Sequence, residues 1–471
     1  MKEKYQYLGK NVILFALSSF LPKCLVFLMI PIYTSVLTTE EYGIADLINT
    51  TVSLLLPVFT MDIQDAVMRY SMDNDCKKED VLSAGVFTIV KGGILLSILG
   101  CILSFWVFIK PYREYIPFVV IMYFLNALWN SLSMFCRGID RVKTVTIASV
   151  LKSAVMLISN MVFLLVVNLG LRGYLLACVL GDIFALLFIV IHSELYQYIK
   201  LTYEKKVLKN MIHFSFPLIF SVIAWWINSA SDRYILTWLK GVAVSGVFAV
   251  AYKIPSLLTT FQSIFSSAWS ISAIKEFDRE NSDGFISNMF TLMNFMMVIF
   301  CSGIMLMDVP LAKVLYSKDF FEAWRYVPPL LISVVFNAMA LFVGSIFTAV
   351  KDTKTLSYST IIGAVVNIIC NFVLIYICGA YGAALATLIG YAVTMLVRLY
   401  ILRKHIRLRV LWRRDIIGYV MLLLQMLVAN AGWKSIFLQC LFGLIILGLY
   451  RNEVKTIRKT IICTLTGRIT G

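Results

Sequence analysis

Histidine is scarce in this 471-residue chain. Its three examples, His192, His213 and His405, stand near the ends of expected helices and form no H-E-x-x-H or similar ligand pattern. That excludes a histidine-based metalloenzyme. The ten cysteines contain no C-x-x-C pair and lie singly, mostly in apolar segments, so they read as small core hydrophobes. Charge is thin as well, at 14% of residues, while 60% are hydrophobic and mean hydropathy is +0.86. A soluble globular domain does not tolerate that balance, and the chain is read as a polytopic integral membrane protein. The net charge of +16 does not point to nucleic acid, because the basic residues cluster in short loops beside hydrophobic stretches.

Taking about 20 apolar residues per crossing, spans are expected near 11–36, 44–66, 82–109, 115–135, 144–167 and 172–194. After the polar stretch 197–210, others fall near 211–237, 244–268, 285–307, 326–349, 356–378 and 381–402, then 415–431 and 435–450. The first, roughly 11–37, is too long for a signal-peptide core and lacks a cleavage site after it. The fold class is therefore all-α integral membrane with about 14 transmembrane helices. Two six-helix lobes, 1–200 and 201–410, are expected, with two extra helices and a tail over 411–471.

Alternate loops, those with Lys77/Lys78, Arg141/Lys143, Lys205/Lys206/Lys209, Lys275/Arg279, Lys351/Lys354 and Arg403 to Arg414, hold with both termini roughly 28 Lys/Arg. The opposite loops hold about 8, which places both termini in the cytoplasm. An internal repeat supports the two lobes. Lys143-Thr144 is followed by Asn160, Gly173 and Gly181, and Lys354-Thr355 by Asn371, Gly382 and Gly390, with spacings of 17, 13, 8 and 17, 11, 8. Even span numbers give the copies the same orientation, related by an axis along the membrane normal.

Six basic residues lie within the apolar runs: Lys23, Lys91, Lys152, Arg233, Lys253 and Arg398. A cation near mid-bilayer costs at least about 2.5–3.5 kcal/mol, so several imply a polar interior that meets an anion. Lys23 follows Pro22 about 18 Å into the first span, and Lys253 precedes Pro255 about nine residues into the eighth. These two are the leading ligand candidates. Lys91 and Lys152, about eight residues in, are divided between substrate contact and snorkelling. Arg398 reads as a topology anchor.

Other polar groups remain open. Asp232 and Arg233 either pair at the interface or make Asp232 a cation ligand. Asn367 and Asn371 share a helical face and offer carbonyl oxygens to a hard cation, or join helices. Asp62, Asp65 and Arg69 share a face as a salt-bridge ladder or a cytoplasmic gate. Asp182 carries a proton or pairs with Lys152 or Lys91. Trp225 and Trp226 stack on sugar rings or pack.

The run Leu28-Met29-Ile30-Pro31-Ile32-Tyr33-Thr34, leading to Thr38-Thr39-Glu40-Glu41-Tyr42-Gly43-Ile44-Ala45-Asp46, resembles the opening of bacterial polysaccharide flippases, the Wzx-like proteins of the MOP superfamily. Arg69-Tyr70, Phe135-Cys136-Arg137-Gly138, the Trp225 to Tyr234 segment and Ala251-Tyr252-Lys253-Ile254-Pro255 continue it in order over about the first 400 residues. The resemblance implies an exporter, not an enzyme, in the inner membrane. It would flip undecaprenyl-diphosphate-linked oligosaccharide by alternating access for O-antigen, capsule or other surface polysaccharide. It implies a cationic cavity with Lys23, Lys253, Lys91, Lys152 and Arg233 as substrate contacts. The partners implied are membrane lipids and polymerase machinery. No bound cofactor is expected, with coupling by a Na+ or H+ gradient. The lipid II flippase branch adds a cation site, carried over to Asp232, Asn367, Asn371 and Thr387. Asn371 departs from the acidic residue expected there. Asp182 is a further proton candidate, and the two extra helices are expected to form a lipid-tail groove. The competing readings are a MATE-type multidrug exporter, for which a basic cavity has the wrong sign, and an O-antigen polymerase or ligase, which normally carries a large outer loop.

Overall fold

The computed structural model describes residues 25–453, apart from 26, 74–75, 106–111, 201, 276–283, 351, 407, 409 and 452. Every regular element among the described residues is helical. The chain forms two compact units, one ending at Tyr234 and including Val242–Gly246, the other made of Ile235–Gly241 and the chain from Val247 onward.

The first unit begins with α1 (Ile30–Val36) and α2 (Thr39–Phe59). Thr38 and Glu41 form a capping box at the start of α2: the Thr38 hydroxyl accepts the Glu41 amide, and the Glu41 carboxylate accepts the Thr38 amide at 2.9 Å. The other oxygen of Glu41 accepts the Leu171 amide at 3.4 Å, at the start of α7 (Gly170–His192), so one carboxylate satisfies the N-termini of two helices. Two glycines permit a close helix crossing in the same unit. A Cβ at Gly43 would stand 2.4 Å from the Val242 carbonyl oxygen, and one at Gly246 1.9 Å from that of Thr39.

After α2 the ladder breaks. Met61 (φ 54°) and Asp62 (φ 51°) are both left-handed, and α3 (Ile63–Ser71) resumes the run. It packs against α4 (Lys78–Leu103) and α5 (Ile116–Gly138). Next come α6 (Val142–Asn160), extended by a π-helical stretch to Val166, and α7. The long α8 (Lys205–Lys240) contributes its part up to Tyr234.

α9 (Val242–Ala251), which belongs to the second unit from Val247 onward, and α10 (Pro255–Lys275) form a span bent by 50°, where Pro255 removes a helix donor. They are followed by α11 (Phe285–Leu306), α12 (Asp308–Leu315), α13 (Val327–Ala349), α14 (Thr353–Cys378), α15 (Ala380–Leu402), α16 (Trp412–Ala429) and α17 (Ile436–Leu449). α13 is the core of this unit, buried along nearly its whole length. Trp269 of α10 stacks on Phe342 of α13 at 4.1 Å and donates its indole N–H to the Phe342 carbonyl at 3.1 Å. Polar pairs fasten the last two helices. Ser302 and Gln425 bond reciprocally at 2.8 and 3.1 Å, and Asn294 bonds to both Tyr419 and Tyr450.

The outside is apolar. Ile94, Leu95, Ile98 and Ile102 of α4 are exposed, whereas Asn160, Asn294, Asp415 and Gln425 are buried, an inversion expected of a chain solvated by lipid. Among the described residues, ten helices are long and apolar enough to cross a membrane, or eleven with the bent pair. The remaining expected spans fall on the first segment, mostly outside the described residues, and on α16 and α17. The first turn of α16 carries Arg413, Arg414 and Asp415, and α17 has 14 residues.

The repeat recurs in three dimensions. In one unit Gly181 of α7 faces the Lys152 carbonyl of α6, 3.0 Å from an added Cβ; in the other, Gly363 of α14 faces the Gly390 carbonyl of α15 at 2.9 Å. Lys152 precedes Asn160 by eight residues, as Gly363 precedes Asn371, so both helix pairs cross at one register.

Candidate functional site

Lys253 lies in the three-residue break between α9 and α10, half-buried, with its amide donating to Val250 at 2.9 Å. A break of this kind opens the backbone of a span where it borders a polar interior. Lys23 lies outside the described residues.

Lys91 is 13 residues into α4, because that helix starts at Lys78, earlier than its apolar pattern. At 1.5 Å per residue it stands about 20 Å along the helix from its first residue. Its side chain is exposed and stands 5.4 Å from the centre of the Phe87 ring.

Lys152 and Asp182 form an ion pair between α6 and α7. Asp182 is buried, its other oxygen 3.4 Å from the Asn126 amide of α5, and the ammonium lies 5.8 Å from the Trp129 ring. Of the partners open to Asp182 from sequence, the structure selects Lys152. Asn126 and Trp129 were not singled out; Asn126, a polar residue in a span, was the available signal.

Arg233 of α8 pairs with Asp46 of α2 at 2.8 Å, not with its neighbour Asp232. Asp232 is buried and accepts the Arg233 amide at 2.9 Å. The same seam holds Thr51 to Tyr234 at 2.7 Å, and Trp226 donates to the Thr50 carbonyl and the Ser53 hydroxyl. Trp226 is thereby a packing residue, while the Trp225 ring is exposed.

In the second unit, Asn371 donates to the Asn367 side chain at 3.0 Å. That uses one of the two carbonyl oxygens considered for a cation; the Asn371 Oδ1 is buried and accepts nothing among the described residues. Thr387 is buried on α15 and donates to the Ala383 carbonyl at 3.1 Å. Arg398 is buried rather than at the surface. It donates to the Ala340 carbonyl, the Ser359 hydroxyl and the Thr360 hydroxyl at 2.7–3.0 Å, joining α13, α14 and α15. No carboxylate pairs with it among the described residues. Asp62, Asp65 and Arg69 form no ion pair among the described residues either, so the expected ladder is absent: Asp65 and Arg69 are exposed while Asp62 turns inward.

The family of polysaccharide biosynthesis proteins matches residues 8–270, more than half of the chain. The chain belongs to that family. A comparison with curated proteins finds no match. Among solved structures, this family member is similar to the lipid II flippase MurJ in an inward closed conformation, with a TM-score of 0.71 at 15% identity over 94% of this chain and all of that one. It is also similar to an inward-facing multidrug resistance MATE family transporter of the MOP superfamily, with a TM-score of 0.63 at 14% identity over 89% of this chain and 96% of that one. A MOP superfamily transporter from Pyrococcus furiosus, described by the reverse polarity of its binding pocket, gives 0.59 at 14% identity over 89% and 96%. At these identities the likeness is one of fold. This polysaccharide biosynthesis protein is a multi-pass membrane protein with an all-α transporter fold.

Proposed function

We propose that this chain flips polyprenyl-diphosphate-linked oligosaccharide repeat units across the bacterial cytoplasmic membrane for surface polysaccharide assembly. The observation that carries the reading is Lys253, set at the break of a bent span in a member of a polysaccharide biosynthesis family. A diphosphate needs cations and charge-assisted hydrogen bonds, and its sugars need a polar path, whereas the polyprenyl tail stays in lipid. Lys23 and Lys253 take the diphosphate, with Lys91, Lys152 and Arg233 as further basic groups along the path. Asp46 and Asp182 hold Arg233 and Lys152 in position. Alternating access supplies the movement, and a Na+ or H+ gradient acting at Asp232, Asn367, Asn371 and Thr387, or at Asp182, supplies direction. Both termini are cytoplasmic, polymerase machinery consumes the product, and the chain catalyses no covalent step. A multidrug role is disfavoured by the basic groups, which repel organic cations.

The test replaces Lys23 and Lys253 singly with Ala. Surface polysaccharide and intracellular lipid-linked repeat units are then measured at matched protein levels. Lost surface polymer with retained lipid-linked units is expected; normal polymer in both variants refutes the reading.

A further inference from the structure

The break between α2 and α3 has no role in the function proposed above. Two consecutive non-glycine residues there, Met61 and Asp62, adopt left-handed backbone, each at a conformational cost of roughly 1–2 kcal/mol. Thr60 turns both its amide and its hydroxyl back to the Leu56 carbonyl, and the Ile63 amide closes only to Thr60. The strain holds Asp62 inward, 1% exposed. Its Oδ1 accepts the Gln64 side-chain amide at 2.9 Å; its Oδ2 is buried with no hydrogen-bond partner among the described residues.

The depth follows from the glycines of α4. Gly85 packs on Val67 and Gly92 on the Phe59 carbonyl, so Asp62 lies level with a stretch between them. That is about 10–20 Å from the first residue of a membrane-spanning helix. The titratable groups on the three helices packed at the break are Asp65, Arg69 and Tyr70 of α3, Lys78, Glu79, Asp80, Lys91 and Cys101 of α4, and Tyr123, Cys136 and Arg137 of α5. None is ion-paired with Asp62. Asp65 adds a second negative charge, and the Tyr123 hydroxyl, beside Gly92, is buried and bonds to nothing among the described residues.

A buried carboxylate at this depth, with one oxygen unpartnered among the described residues, requires a neutralising partner. Broken membrane helices supply such sites elsewhere, where unwound carbonyls and side chains replace a cation's water. We infer that the α2/α3 break is a monovalent cation site in which Asp62, oriented by Gln64, holds Na+ or H+. It is separate from the residues proposed above for the coupling ion, and its failure leaves the flippase reading intact.

The full chain in detergent or nanodiscs tests this through melting temperature. NaCl is titrated against choline chloride at constant ionic strength, and pH is titrated at constant Na+ above about pH 5, where ordinary carboxylates are already ionised. A rise with the logarithm of Na+ concentration identifies Na+, and a response to pH alone identifies H+. In either case Asp62→Asn is expected to abolish the response and Asp62→Glu to retain it. Should Asp62→Asn not fold, Gln64→Leu serves, with apparent cation affinity expected to fall roughly tenfold. The inference is overturned if the wild type responds to neither titration, if Asp62→Asn keeps the wild-type response, or if Gln64→Leu leaves the affinity unchanged.

Discussion

Arg233 and Asp46 are joined at 2.8 Å from α8 to α2, although 187 positions separate them and Arg233 has a carboxylate as its chain neighbour. Both side chains are mostly buried, so the pair is poorly screened by solvent and its loss is costly. Asp46→Asn is expected to lower stability by about 1–3 kcal/mol, and Asp46→Arg with Arg233→Asp to recover part of it. Thermal unfolding of the purified variants measures both.

Lys152 and Asp182 behave differently because one of them is far better hidden. Lys152→Ala leaves the deeply buried carboxylate unpaired and is expected to cost about 3 kcal/mol; Lys152→Gln combined with Asp182→Asn costs less, since no charge remains. Under the flippase reading the double variant accumulates as folded protein yet exports less polymer. Fluorescence-monitored gel filtration and surface polysaccharide assays separate these outcomes.

Arg398 distinguishes charge from geometry. Its guanidinium reaches a carbonyl and two hydroxyls on two neighbouring helices. A topology anchor needs only positive charge, so Lys would suffice; a three-way clamp needs the planar fork. Arg398→Lys is expected to lose roughly 1–3 kcal/mol of stability with unchanged orientation of the following loop, measured by melting temperature and cysteine accessibility.

The N-terminus of α14 gives an acid-sensitive contact outside the spans. Asp352 accepts the Thr355 hydroxyl at 2.6 Å and its amide at 3.1 Å, with His405 at 3.3 Å. The Thr355 bonds, then the His405 charge, hold its carboxyl below the ordinary carboxylate range. The folded value being depressed, the contribution is fully present above about pH 4 and is lost as pH falls through the folded value. The melting-temperature difference between wild type and Asp352→Asn is therefore expected to shrink as pH falls below about pH 4.

The spans and the repeat were legible because each leaves a local mark, an apolar run or a recurring spacing; Pro255 stood out beside Lys253, but the bend it makes there was not read from the sequence. The long-range partners of Arg233 and Asp182 were less so. Periodicity assigns a residue to a face of its own helix but does not say which helix comes opposite. Asp46 was visible only as part of a motif. The inward turn of Asp62 escaped notice because Met61 and Asp62 carry none of the glycine signal that normally announces left-handed backbone.

The Lys152 and Asp182 pair also bears on biosynthesis. Each residue alone makes its segment a poor candidate for release from the translocon into lipid, but the two helices are consecutive and joined by a short turn. Released together as a hairpin, they carry no net charge at the pair; released one by one, each carries an uncompensated ion. The order of synthesis thus lets Lys152 wait for Asp182, and membrane integration of the α6 segment should depend on the arrival of α7.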